Sequence, residues 1–159
     1  MEVPPYGGRD HKLLHVNILL KGVVYMEKWT DGLMQIRIAR PTDKLEKNIK
    51  FYTEGLGLKV IGSFKGHDGY DGVMIGLPDK SYHLEFTTHV DGSPCPSPTK
   101  DNLLVFYIPH KTIIDDICYK LFKMGYNSVP PENPYWEEKG ITIENPDGWR
   151  VVLMNDQGI

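Results

Sequence analysis

His83 and Glu85 sit two residues apart in Tyr82-His83-Leu84-Glu85-Phe86-Thr87, and strand alternation there puts imidazole and carboxylate on one face, with Leu84 and Phe86 on the other. Such a histidine can act as a general base, as a metal donor, or simply as a hydrogen-bonded neighbour. Arg37 supplies the opposite charge. In Gln35-Ile36-Arg37-Ile38-Ala39-Arg40 the polar and apolar residues alternate, so Ile36 and Ile38 are expected on a buried face, and Gln35 and Arg37 on the other. A guanidinium so placed can grip a carboxylate or phosphonate with two N–H groups, or pair with Glu85 as a structural ion pair. Both readings stay open at the level of sequence.

Further groups stand out by chemistry. His67-Asp68-Gly69-Tyr70-Asp71-Gly72 sets an imidazole, two carboxylates and a phenol among glycines, which reads either as a mobile loop with acid–base groups, His67 foremost, or as a polar hairpin connection. Asn133-Pro134-Tyr135-Trp136 carries two large rings on a connection, suited to stacking on a flat ligand or to plugging a local gap. Trp149 reads as core. Cys95, between prolines, lacks a His or Lys neighbour to activate it, and Cys118 lies on a helix face, so neither a nucleophile, a CxxC motif nor a disulfide framework is indicated.

The elements that must position these groups occur twice. Gln35 to Arg40 is a strand. Asp43-Lys44-Leu45-Glu46 has capping-box spacing ahead of Leu45, Ile49, Tyr52 and Leu56, and Gly55 and Gly57 stop the helix. Lys59 to Phe64 follows as a strand, then a hairpin of Val73 to Leu77 and Tyr82 to Thr87 around Pro78-Asp79-Lys80. The second pass gives a strand over Asn102 to Tyr107, a helix over Thr112 to Met124 stopped by Gly125, and a hairpin of Ile141 to Glu144 and Trp149 to Met154 around Asn145-Pro146-Asp147-Gly148. Three strands follow each helix, which disfavours a doubly wound sheet. The expected fold is α+β: two tandem βαβββ modules forming a cupped, mostly antiparallel sheet, with module 1 at 35–88, a proline-rich linker at 89–101 and module 2 at 102–155. Each helix should cover the convex side of its sheet, leaving the concave sides to face each other around a cleft.

Composition agrees with one globular unit: 159 residues, 40% hydrophobic and 25% charged. The formal charge of −3, with no basic run, offers no phosphate-backbone footprint, so nucleic acid is not an expected partner. Residues 1–33 fit the pattern poorly. The apolar stretch from Leu13 to Met26 is interrupted by His15, Asn17 and Lys21, too short and polar to span a bilayer, and Glu2, Arg9 and Asp10 ahead of it do not suit a signal peptide. A strand, or a true start at Met26, are the two expectations there. No membrane association and a cytoplasmic location follow as the simplest reading.

Phe51-Tyr52 with Gly55-Leu56-Gly57-Leu58 after the first helix, and Asn145-Pro146-Asp147-Gly148 in the last hairpin, make residues 35 to 155 resemble the vicinal oxygen chelate superfamily. That group includes glyoxalase I, extradiol dioxygenases, and fosfomycin- and bleomycin-resistance proteins. The resemblance implies a divalent-metal site built from the first and last strands of each module, at Gln35, Glu85, Asn102 and Val152 here. Only Glu85 is a strong donor; Gln and Asn offer neutral oxygens and Val none, so no cofactor is expected, with a divalent metal as the alternative. The expected function is small-molecule binding in a cleft of Arg37, His83, Glu85, Phe106, Tyr135 and Trp136. The alternative is a metal-dependent lyase, transferase or dioxygenase using Glu85, His83 and Gln35. The resemblance also implies a homodimer, with the cleft formed either within one chain or by modules of two.

Overall fold

Each half of the chain builds one four-stranded sheet in a computed structural model that describes residues 33–158. The expectations for residues 1–32 lie outside the described residues. In the first sheet β1 (Ile36–Pro41), β2 (Lys59–His67), β3 (Tyr70–Gly76) and β4 (Tyr82–His89) are ordered β1-β4-β3-β2. In the second, β5 (Leu103–Tyr107), β6 (Ser128–Val129), β7 (Gly140–Glu144) and β8 (Arg150–Met154) are ordered β5-β8-β7-β6. One plan is used twice. The last three strands of each half pair antiparallel, whereas β5 lies parallel to β8 because a helix crosses over between the first strand and the rest. Arg37 reaches His83 and Glu85, while the Thr42 N–H donates to the Thr87 carbonyl at 2.8 Å, so β1 and β4 also run the same way.

The first helical segment departs from a plain amphipathic helix. It is α-helical over Leu45–Lys50 (α1) and continues as a π-helical turn over Phe51–Gly55. The wider turn directs both Phe51 and Tyr52 inward, and neither is exposed at all. The expected capping box does not form: Lys44 occupies the N-cap, and the Asp43 carboxylate instead accepts the N–H of Ser93 in the linker. The second helix, α2 (Lys111–Lys123), follows its sequence stripe, burying Ile114, Ile117 and Leu121.

One further expectation is corrected, and one alternative is decided. Ile36 and Ile38 are 50% and 40% exposed, because α1 packs over β3 and β4 and leaves the edge strand β1 uncovered. His67 to Gly72 takes the second of its two readings, a polar hairpin connection. β2 and β3 run on into it and turn through Asp68 and Gly69, with φ of 48° and 84°, the positive values that a two-residue type I′ hairpin requires.

A single core joins the halves. It contains Phe51, Tyr52, Val73, Ile75, Leu84 and Phe86 from the first, and Ile114, Ile117, Leu121, Ile143, Val151 and Leu153 from the second. The π-turn and α2 meet closely: a Cβ on Gly55 would lie 2.3 Å from Leu121 Cδ2. A buried polar knot sits beside this contact. The Asn48 amide donates to Thr42 Oγ1 and Asp147 Oδ2, and Asn145 donates to Asn48 Oδ1 and to the Tyr52 hydroxyl. The Asn145-Pro146-Asp147-Gly148 turn thus fastens one module to the other as well as closing its own hairpin. Trp149, expected in the core, is half-buried between the modules: Arg40 lies 3.9 Å above its ring and its Nε1–H donates to the Cys95 carbonyl.

This arrangement decides which sheet surfaces remain for a ligand. Both helices and the helix-facing sides of both sheets share the core, so the opposite sides of the sheets look outward. Of the two arrangements left open by the sequence, a shared helix-side core favours a cleft formed by modules of two chains.

Candidate ligand-binding site

The outward face of the first sheet follows from strand register. Gly76, Met74 and Gly72 of β3 stand opposite His83, Glu85 and Thr87 of β4, so these six share a face, and Arg37 joins them from β1. Glycine keeps this floor low: a Cβ at Gly72 would strike the Phe64 ring, whereas one at Gly62 would meet only the movable end of Met74. Above it the three expected polar residues are brought together. Arg37 Nε donates to His83 Nε2 at 3.0 Å, and Arg37 Nη1 lies 3.2 and 3.3 Å from the two Glu85 oxygens. His83 is 3% exposed and Glu85 7%, whereas the Arg37 side chain is half-exposed. The pair that sequence left undecided is thus formed, and formed with the imidazole as a third member.

The hydrogen bond fixes the histidine's state. His83 Nε2 accepts from Arg37 and carries no proton, so the neutral ring holds its proton on Nδ1, a buried atom without a hydrogen-bond partner among the described residues. A buried donor left unpaired costs about 1–3 kcal/mol.

The outward face of the second sheet is chemically different. A shallow depression, largely open to solvent, is lined by Asp101, Leu103, Val105, Glu132, Asn133 and Trp136. Trp136 belongs to a 3₁₀ turn, Pro134–Trp136, whose start is capped by the Asn133 side chain accepting the Tyr135 N–H. Tyr135 meets Trp136 edge to face at 4.9 Å but points its own ring mainly to solvent. Beneath lie Arg150 and Thr142. Arg150 is 3% exposed, with Glu144 at 3.4 Å and Glu132 at 3.8 Å, and its Nη1 and Thr142 Oγ1 are buried without hydrogen-bond partners among the described residues.

Of the remaining expected residues, Phe106 packs against the core on the helix side, so it does not line this face; its neighbours Leu103 and Val105 do. His67 stands at the β2–β3 hairpin tip, largely exposed, 3.7 Å from Asp68, and hydrogen-bonds to none of the three polar residues. Cys95 and Cys118 are free and half-buried. Arg150, Asp101 and Glu132 were missed. Arg150 was within reach, because it alternates with Val152, whereas Glu132 comes from an irregular connection that no period describes.

The superfamily's metal positions can be tested against this register. Thr42 and Ile108 make equivalent bonds to Thr87 and Met154, which aligns Glu85 with Val152 and Gln35 with Asp101. Asn102 is thus one residue out of register, and Asp101 stands in its place. Val152 is fully buried and has no donor atom, the Glu85 oxygens are engaged by Arg37, and no three His, Cys, Asp or Glu side chains among the described residues are grouped to hold an ion. The residues at these positions do not fit a superfamily metal centre.

Comparison with known proteins gives the same frame. The YycE-like N-terminal domain matches residues 36–87 and the YycE-like C-terminal domain residues 101–155. The YycE protein of Bacillus subtilis strain 168 is 58% identical over 125 residues, spanning 79% of this chain and 90% of that protein. A crystal structure of Bacillus subtilis YycE, described as a candidate glyoxalase/fosfomycin resistance protein, matches with a TM-score of 0.76 at 57% identity, over 80% of this chain and 93% of that one. Trypanothione-dependent glyoxalase I of Leishmania major (TM-score 0.60, 20% identity, 77% of this chain and 86% of that one) and the antibiotic-binding protein TnmS3 of Streptomyces sp. CB03234 (0.52, 19%, 76% and 93%) share the fold. The tandem βαβββ frame is that of the vicinal oxygen chelate superfamily, and within it this chain belongs to the YycE-like family.

Proposed function

We propose that the protein binds a small molecule without a tightly held metal, taking an anionic group at Arg37 and a flat apolar body against Trp136. The open depression beside Trp136 carries this reading: its indole, leucine and valine side chains adjoin Asp101, Glu132 and Asn133, apolar surface beside a few polar groups. Arg37 supports the anionic end because it is half-exposed and Nη2 has no hydrogen-bond partner among the described residues. The antibiotic-binding activity named for TnmS3 shows that this fold serves for binding in a distant relative.

We place the two surfaces together in a homodimer. β1 and β5 are the edge strands of their sheets, with Ile36, Ile38 and Tyr107 exposed, and an uncovered apolar edge favours pairing with a second chain. The first module of one chain would then face the second module of its partner and enclose the cleft. Two free thiols, and no helix among the described residues long and apolar enough to cross a membrane, suit a cytoplasmic setting.

A thermal-shift screen of planar aromatic acids and phosphonates tests the proposal. A true ligand raises the Tm of the wild type, and Trp136→Ala and Arg37→Ala each weaken it by at least about tenfold. A screen without any stabilising compound, or a hit indifferent to both substitutions, would defeat it.

A further inference from the structure

We propose that Arg150 and Thr142 form a hydroxyl-binding subsite under the Trp136 turn, so that the flat body of the ligand carries a neutral hydroxyl group at its edge. Strand register puts the two residues together. Arg150 stands opposite Leu103 of β5 and Glu144 of β7, and Thr142 opposite Val152, so Thr142 is diagonal to Arg150 on the outward face of the second sheet. The Trp136 turn rests on that face, since a Cβ on Gly140 would strike the Trp136 carbonyl. Leu103 and Glu132 line the depression beside Trp136, and Glu132 Oε1 is 3.8 Å from Arg150 Nη1, so the guanidinium points to the floor of that depression.

Two separate polar atoms are left over there. Arg150 is 3% exposed, and its one hydrogen bond among the described residues is a long one, from Nε to Glu144 Oε1 at 3.4 Å. Glu132 offsets its charge, but at 3.8 Å lies beyond hydrogen-bond reach of Nη1, so that buried donor is unpartnered among the described residues. Thr142 Oγ1, in a residue 2% exposed, is in the same condition. The first sheet differs: the alignment of Glu85 with Val152 puts His83 at the place of Arg150, and there Arg37 bonds to both His83 and Glu85.

Charge then chooses the ligand group. Around the depression Arg150 and Lys100 face three carboxylates, Glu132, Glu144 and Asp101, so a further anionic oxygen would be repelled. A hydroxyl has what both sides need: lone pairs for Arg150 Nη1 and a proton for Glu132. Glu132 is able to yield the space. Its side chain is half-exposed on the connection between β6 and β7, and its exposed ion pair with Lys100, at 3.4 Å, holds it only weakly.

The inference rests on the proposed binding role of the Trp136 face and extends it to the polar group the ring must carry. Calorimetric titration of the full chain with para-hydroxycinnamate, para-methoxycinnamate and cinnamate tests it, because the three acids share one flat frame and one carboxylate and differ only at the far edge. Wild type is expected to bind the hydroxy acid about tenfold more tightly than either of the others. Arg150→Gln should erase the advantage over cinnamate, Glu132→Ala the advantage over the methoxy acid, and Thr142→Val should narrow both. T142V exchanges one buried atom for another of similar size, and it carries the comparison if R150Q does not fold. Arg37→Ala should weaken all three acids alike and leave their ranking intact. No binding of any of the three, equal affinities in wild type, or a hydroxyl preference that survives R150Q, E132A and T142V would overturn the inference. Binding of all three without a ranking sinks the hydroxyl subsite and leaves the Arg37 grip standing, whereas a ranking with affinities untouched by R37A does the reverse.

Discussion

Tyr52 shows at the scale of one residue what the polar knot costs and supplies. Burial pushes its phenol up to about 12, against a weaker opposing pull from the Asn145 amide that donates to it. In the unfolded chain the phenol ionises near 10, so the preference for the neutral form is fully present below that pH and is lost as pH rises towards 12. Stability is therefore expected to fall by about 1.4 kcal/mol per pH unit across that window from this group alone. Urea unfolding at a series of alkaline pH values should show the decline, and Tyr52→Phe should flatten it while costing about 1 kcal/mol at neutral pH, where Asn145 loses an acceptor. Reading the sequence showed Tyr52 as a buried face residue, but its hydroxyl partner lies in the other module, beyond the range of any local pattern. The same limit explains Phe106: from Leu103 to Tyr107 every residue is apolar, so alternation gives no clue to which side faces the helix. His83, Glu85 and Arg37 were legible because polar and apolar residues do alternate there.

Among the elements, the π-turn and α2 meet in a close contact of the core. Gly55 was readable as a helix stop. That it is also the seat of Leu121 was not, because close approach between elements leaves no trace in one element's own periodicity. Gly55→Ala is expected to destabilise the protein by about 1–3 kcal/mol through overpacking, and Leu121→Ala by about 2–5 kcal/mol through the cavity left behind. The two should be strongly non-additive: in the L121A background the added methyl enters vacated space, so G55A there costs little or stabilises. Chemical denaturation of the four proteins checks this. Equal costs of G55A in both backgrounds would mean that the contact is not what excludes a side chain. The β2–β3 hairpin teaches a related lesson, since Asp-Gly between apolar strands is a hairpin signal in its own right and outweighs the loop-like appearance of the six residues around it.

At the scale of the whole molecule, the shared core makes the assembly question concrete. If the cleft is built from the first module of one chain and the second of another, an R37A chain and a W136A chain carry complementary defects. Mixed and reannealed, they should yield hybrids with one intact cleft and one doubly defective one, and ligand capacity should rise from near zero in each parent to about half a site per chain in the hybrid. Titration with a screened ligand, alongside sedimentation to establish the dimer, measures this. An unchanged capacity in the hybrid would place the complete site within a single chain. The tandem plan was legible because strand, helix and turn signals recur in order. How the copies are stacked was not, since the same repeat suits edge-to-edge and back-to-back arrangements equally.

The copies share their inner surfaces and differ in their outer ones. One exterior presents a fixed positive charge and a buried carboxylate on a glycine floor, and the other an indole over aliphatic side chains. Duplication has thus produced unlike exteriors from one template; in the proposed dimeric cleft they would meet, and a guest held there would be two-ended, with charge at one pole and a greasy plane at the other.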